Sequence, residues 1–195
     1  GWVFAGFKRI DLGGLTGFAF YVAVPALVFS TLAETSVSFE YMSLVGGGAV
    51  AQIAVCGVAC WGSYRLFGQP GRGLSLTALF PNSANLGIPL AQFAFGDAGL
   101  ELAVVAFTSF SVFHYSLGLM IVSSAAGPLT LFRMPVIHAA VAGLVCSGVG
   151  FQPPESVMRA IELLGDAAVP VMLVSLGVRM RTVTLESVRP ALIAV

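Results

Sequence analysis

The chain has 195 residues, of which 57% are hydrophobic and 9% charged, and its formal net charge is zero. Soluble domains carry roughly 25% charged residues. A chain this poor in charge cannot keep a water-facing surface, so lipid must surround most of it. Neutrality also excludes a nucleic-acid partner, which requires a basic surface.

A spanning helix needs about 20 mostly apolar residues. Residues 1–7 read as the tail of an earlier helix and 187–195 as the start of a later one, so a longer protein cut through two helices is expected. The first full span is 13–33, between Lys8, Arg9 and Asp11 on one side and Glu34 on the other. The second, 43–64, lies between Glu40 and Arg65. Its Gly46-Gly47-Gly48 run, like the Gly13 to Gly17 spacing, suits close helix packing. Its Cys56 and Cys60 lie one helical turn apart with no further ligands and in poor disulfide geometry, so they read as small packed residues. The third span, 74–95, lies between Arg72 and Asp97, and the fourth, 102–124, between Glu101 and Gly127-Pro128. The fifth, 134–151, lies between Arg133 and Pro153-Pro154, and the sixth, 160–178, between Arg159 and Arg179.

The connections alternate in charge. The first, third, fifth and seventh hold Lys8 and Arg9, Arg65 and Arg72, Arg133, and Arg179, Arg181 and Arg189. Acidic residues fall mainly on the even ones: Glu34 and Glu40, Asp97 and Glu101, Glu155 and Glu162, with Arg159 the basic exception. Short loops rich in Lys and Arg stay in the cytoplasm, so the odd connections are assigned there. The alternation supports the span count independently of hydropathy.

Two spans resemble each other. Aligned on their prolines, Ala23, Val24, Pro25 and Ser30 meet Ala168, Val169, Pro170 and Ser175. The first runs outward and the second inward, as in an inverted-topology repeat enclosing a midplane site. The alternative is chance similarity between two apolar helices.

The third span contains Phe80-Pro81-Asn82-Ser83-Ala84-Asn85-Leu86-Gly87-Ile88-Pro89. Each proline removes a backbone donor, Gly87 adds flexibility, and two amides enter the low-dielectric centre. Together they predict an interrupted helix, whose second half begins near Gly87 or Ile88. Such backbone survives at membrane depth only beside protein or a watery cavity. The positive end of the second half-helix attracts anions, and the amides of Asn82 and Asn85 can donate to a carboxylate. Asn82, Ser83, Asn85, Gly87 and Pro89 are therefore the candidate substrate residues, and Pro25, Pro81 and Pro170 the helix-breaking framework. The alternative is a kinked helix whose asparagines only join its neighbours.

At these residues the chain resembles the auxin efflux carrier family, which includes plant auxin carriers and bacterial permeases assigned to malate or malonate. Asn82 to Pro89, followed by Phe95-Gly96-Asp97-Ala98-Gly99, is similar to the pattern of the family's fourth helix. Phe20 to Phe29 resembles its second and Ala167 to Gly177 its seventh. The resemblance implies an all-α polytopic membrane protein of ten helices in two inverted halves, related in fold to bile acid sodium symporters, with broken helices four and nine crossing at the site. It implies that residues 1–125 are the first repeat (tail of helix 1, helices 2 to 5) and 126–195 the start of the second (helices 6 and 7, beginning of helix 8). By the same analogy 13–33, 134–151 and 160–178 belong to a scaffold, and 43–124 to half of a mobile domain that moves in an elevator-like manner. Helix nine then lies beyond Val195, so the chain carries half of a site and should not transport alone. The short connection at 126–133 favours a bacterial-type permease over a plant auxin carrier.

Two ionisable groups within spans are candidates for ion or proton coupling: His114, near Ser109 and Ser111, and Asp166, four residues before Pro170. His114 has the alternative of a neutral histidine bonded between helices, and Asp166 that of a shallow outward-facing carboxylate. His138 reads as interfacial, and Gln52 and Gln92 as substrate contacts or helix bridges. The expected function is secondary active transport of small organic anions by a multi-pass protein of the cell membrane. Its expected partners are a small carboxylate, a coupling proton or sodium, the bilayer, and a second copy in a homodimer. No cofactor, metal or P-loop nucleotide site is expected. The alternatives are a sodium-coupled carrier of the bile acid type, which sodium-dependent uptake would reveal, and a membrane sensor or structural subunit, which has no need of a Pro-Gly-Asn break at the bilayer centre. An intramembrane enzyme finds no HExxH, paired catalytic aspartates or Ser-His constellation.

Overall fold

The computed structural model describes residues 11–34, 39–67, 79–114 and 133–181. The expected helix pieces at 1–7 and 187–195, the start of the third span and the end of the fourth lie outside the described residues.

Every regular element among the described residues is helical. Helix α1 (Leu12–Phe18) is capped by Asp11, whose carboxylate accepts from the Gly13 N–H at 2.9 Å, so negative charge meets the positive end of the helix. A π turn (Ala19–Ala23) leads into α2 (Val24–Glu34), then α3 (Phe39–Phe67). A second π turn (Ser83–Gly87) leads into α4 (Ile88–Phe113). Helices α5 (Pro135–Val149), α6 (Glu155–Asp166) and α7 (Ala168–Met180) complete the described fold. By length and composition, Leu12–Glu34, Ser43–Leu66, Ser83–Phe113 and Glu155–Met180 can each cross a membrane, while α5 is shorter.

The stretch Ser83–Phe113 is not one straight crossing. A straight helix would separate Phe80 from His114 by about 50 Å, yet their ring centroids lie 4.9 Å apart. The chain reverses at Gly96, the residue inside α4 with non-helical backbone (φ 65°, ψ −149°). A left-handed φ is open to glycine at little cost. The returning arm then packs so closely that a Cβ on Gly99 would stand 2.5 Å from the Ala91 carbonyl oxygen. The expected loop at Asp97 to Glu101 is therefore helical, because one glycine makes the whole turn. Glu155 to Arg159, also expected as a connection, forms the first turn of α6, where the two side chains pair one turn apart. Helix α5 ends on Gly150 (φ 67°), and the Phe151 N–H reaches back to the Cys146 carbonyl at 2.9 Å, a left-handed stop that satisfies the last carbonyls.

Both π turns have one cause. Each ends two residues before a proline: Val24 donates to the Ala19 carbonyl just ahead of Pro25, and Ile88 donates to the Ser83 carbonyl just ahead of Pro89. Proline lacks the N–H for the fourth carbonyl back and its ring crowds that carbonyl. Widening the preceding turn to fifth-neighbour pairing relieves the clash and keeps the backbone bonded. Pro170 follows a different irregularity, a turn at Ala167 between α6 and α7.

The core gathers Val24, Leu27 and Val28 of α2 with Ile88, Val104, Ala140 and Met172. Lipid is as apolar as these side chains, so close packing holds such helices together. Around α2 the close approaches are at Gly143 and Gly165, while in the Gly46 to Gly48 run a Cβ on Gly46 alone would reach a described neighbour, the Ser109 hydroxyl at 3.4 Å. A Cβ on Gly143 would lie 2.9 Å from the Phe29 carbonyl oxygen, and one on Gly165 2.9 Å from the Leu27 Cα, so α2 is clasped by α5 and α6. At Gly47 and Gly48 a Cβ meets nothing within 4 Å among the described surroundings. We predict that Gly143→Leu and Gly165→Leu each destabilise the full-length protein by about 1–3 kcal/mol, the usual cost of overpacking. A lowered melting temperature in detergent checks this, with Gly148→Ala, whose Cβ meets open space, as the neutral control.

Candidate functional site

The interrupted segment is closed by local bonds. Phe80, Pro81 and Asn82 are non-helical. Asn82 sits at φ −75°, ψ 65°, and the Ser83 N–H donates to the Pro81 carbonyl at 2.8 Å, an inverse γ-turn. The Asn82 backbone carbonyl then accepts from both Leu86 and Gly87, at 3.3 and 3.2 Å. Its side-chain oxygen accepts from the Asn85 backbone N–H at 3.3 Å and from Asn85 Nδ2 at 3.1 Å. A backbone N–H can only donate, so the oxygen of Asn82 faces inward and its Nδ2 donors face away. Helical winding thus resumes at Ser83 under an asparagine cap, one turn earlier than the expected start near Gly87 or Ile88.

This segment forms one wall of a cleft of about 160 Å³. Asn82, Ser83 and Asn85 line it from the break, Ser111 and His114 from the returning arm of α4, and Phe20 from the first π turn. Phe80, Phe107 and Phe110 supply its apolar floor. The His114 ring stands edge-on to Phe80 at an interplanar angle of 74°. Asn82, Ser83 and Asn85 meet Ser111 and His114, 26 or more residues further along, because the chain reverses at Gly96.

Of the residues expected to touch substrate, Asn82, Ser83 and Asn85 line this cleft; Gly87 and Pro89 do not, and Pro89 is fully buried in the core behind the turn. His114 joins them, whereas Asp166 ends α6 on an exposed surface and lines neither cleft. Pro81 lies in the break wall, Pro25 follows the first π turn half-buried, and Pro170 is exposed in the first turn of α7. Ser30 and Ser175, equated by the sequence repeat, are both buried. Ser30 donates to the Ala26 and Leu27 carbonyls, while the Ser175 hydroxyl has no partner among the described residues.

A second cleft, of about 530 Å³, opens where the start of α1, the start of α5 and the end of α7 meet. These are the ends that face the basic first, fifth and seventh connections. Arg179 lines it and donates to the Thr16 hydroxyl at 3.3 Å. Phe20 lines both clefts. Sequence reading missed both Phe20 and Arg179 as site residues. The signal for Phe20 was its place five residues before Pro25, inside the turn that proline widens. Among the described residues no group of three or more His, Cys, Asp or Glu can hold a metal ion, and Cys56, Cys60 and Cys146 are free thiols.

Comparison with known proteins agrees with this architecture. The sequence profile of a family described as membrane transport protein matches residues 7–131 and 126–191. An "Uncharacterized transporter" of Methanothermobacter thermautotrophicus is 27% identical over 86% of the chain and 58% of its own length. A protein named "Putative malonate transporter" in Rhizobium meliloti is 26% identical over 86% of the chain and 57% of its own length. The chain thus spans less than two thirds of these relatives. No solved structure matches it significantly. The apolar helices and the profile match agree: the chain belongs to the membrane transport protein family of auxin efflux carrier type, and its helices are those of a multi-pass membrane protein.

Proposed function

We propose that the full-length protein is a secondary active transporter of small organic anions, and that the cleft at Phe80–Asn82 is this chain's half of the substrate site. The observation that carries the reading is the gathering of Asn82, Ser83, Asn85, Ser111 and His114 beside the non-helical stretch Phe80–Asn82 in an otherwise apolar chain. Polar groups inside a membrane are costly and mark transport pathways. Asn82 spends its side-chain oxygen on Asn85, which leaves its donors for a carboxylate, and the positive end of the helix resuming at Ser83 favours the same charge. The malonate in the name of the Rhizobium relative favours a short carboxylic acid as the substrate.

In the ground this reading covers, residues 1–125 and 126–195 belong to two inverted repeats, α3 and α4 move with the site, and α1, α2 and α5 to α7 form the scaffold of an elevator. The parallel between the two proline-bearing helices supports this. Both are disturbed just before the proline, and Ala23 and Ala168 are both fully buried.

The test is malonate uptake by the full-length protein in proteoliposomes. Asn82→Ala with Asn85→Ala should lower uptake by about tenfold or more, the worth of one or two hydrogen bonds to a charged group, with membrane insertion unchanged. Normal uptake by the double variant contradicts the site. His114 is the titratable group of the cleft, and histidine changes charge between pH 5 and 8. If its imidazolium pairs with the carboxylate, uptake falls as pH rises through that window, and His114→Gln flattens the profile. A pH profile identical in the variant and the parent removes His114 from the mechanism.

A further inference from the structure

One ring contact joins the two walls of the break cleft. Phe80 belongs to the non-helical stretch, and His114 ends the returning arm of α4. Their ring centroids lie 4.9 Å apart with the planes at 74°, within the range of edge-to-face aromatic pairs. The sequence sets up both partners. The proline after Phe80 disfavours a helical backbone at that residue. The chain leaves the helix there and carries the Phe80 ring into the cleft wall, where the residue is 8% exposed. On the other arm Phe107, Phe110, Ser111 and His114 recur at helical spacing, so one face of α4 presents all four to the same cleft.

The torsion that turns an imidazole about its bond to Cβ is broad and roughly two-fold. A histidine at the edge of a cleft therefore has no fixed plane unless a neighbour supplies one. An aromatic ring set edge-on to it supplies that plane, whichever of the imidazole nitrogens is hydrogen-bonded, and so governs where the ring N–H groups point. The contact also responds to charge, because the face of a phenyl ring attracts a cation through its quadrupole. No charged side chain lines the cleft. The elements packed on α4 bring Glu34 of α2, Glu40 and Arg65 of α3, His138 of α5 and Arg179 of α7, and the Gly96 turn brings Asp97 and Glu101; each lies outside the cleft lining. Among the described lining residues His114 is thus the titratable one.

We propose that Phe80 is the positioning residue for His114, holding the imidazole with its N–H groups toward the space beside Asn82 and Asn85, and that it ties protonation of His114 to the geometry of the interrupted backbone. The proposal rests on the reading of the break cleft as the substrate site and adds how that site couples to a proton. Asn82 lies two residues from Phe80 in the same non-helical stretch. A carboxylate held by Asn82 and a proton held by His114 therefore act on one short piece of backbone.

Two measurements on the full-length protein decide it. The first needs no substrate. With histidine labelled by carbon-13 at Cε1, the NMR signal of His114 is the one that His114→Gln removes. Phe80→Leu and Phe80→Met keep apolar bulk without a ring, and each should move that signal by removing the ring current. Phe80→Tyr should leave it in place. Either ring-free variant that folds suffices, and a His114 signal that stays put in it overturns the positioning role. The second is malonate uptake at about pH 5.5, within the range where histidine gains charge. Phe80→Leu should lower kcat/KM about fivefold, the worth of an aromatic pair, while Phe80→Tyr retains most of the parent's rate. In the His114→Gln background the same Phe80→Leu change should alter uptake by no more than about twofold, because the group it acts through is already gone. Equal losses in the two backgrounds mean that Phe80 only packs, and overturn the proposal. If the parent protein carries no malonate, the substrate reading fails, while the NMR signal still decides whether Phe80 positions His114.

Discussion

Lipid offers a peptide group no hydrogen bond, so non-helical backbone inside a bilayer must satisfy itself or border a cavity. The segment Phe80–Asn82 does both. Its inverse γ-turn, the two bonds to the Asn82 carbonyl and the Asn82 side-chain cap close the local accounts. What remains, the donors of Asn82 and the hydroxyl of Ser83, borders a cleft. The prolines are absorbed in the same way. Pro25 and Pro89 each widen the turn before them, and the widened turns place Phe20 and Asn85 where a regular helix would not.

Much of this was legible in the sequence because it is local chemistry. Apolar length located the spans at 13–33 and 43–64 to within a few residues of the observed helices. Proline, glycine and asparagine clustered at 81–89 marked the stretch where Phe80, Pro81 and Asn82 are non-helical. The alternating charges named the ends that the structure does bring together around Arg179. Other features were hidden because they are tertiary or turn on one residue. Asp97 and Glu101 look like loop residues, yet a single left-handed glycine before them makes the reversal and leaves them free to be helical. The Gly46 to Gly48 run looked like a packing face, but only the arrangement of neighbours shows that Gly143 and Gly165 are glycines that a side chain would block against α2. The helix was expected to restart near Gly87. It restarts under Asn82, because an asparagine that caps its own turn gives the backbone a place to resume.

Phe20 lines both clefts from a turn that proline keeps wide. The tight clasp of α2 by Gly143 and Gly165 gives that turn a rigid footing on its outer side.

The central claim is that the interrupted backbone at Phe80–Asn82 receives the carboxylate. A map of the full-length protein with malonate bound tests it most directly. The account predicts non-helical density at Phe80–Asn82 and a ligand carboxylate within hydrogen-bonding distance of Asn82 or Asn85. A continuous helix through these residues, or a ligand bound away from both asparagines, would contradict it.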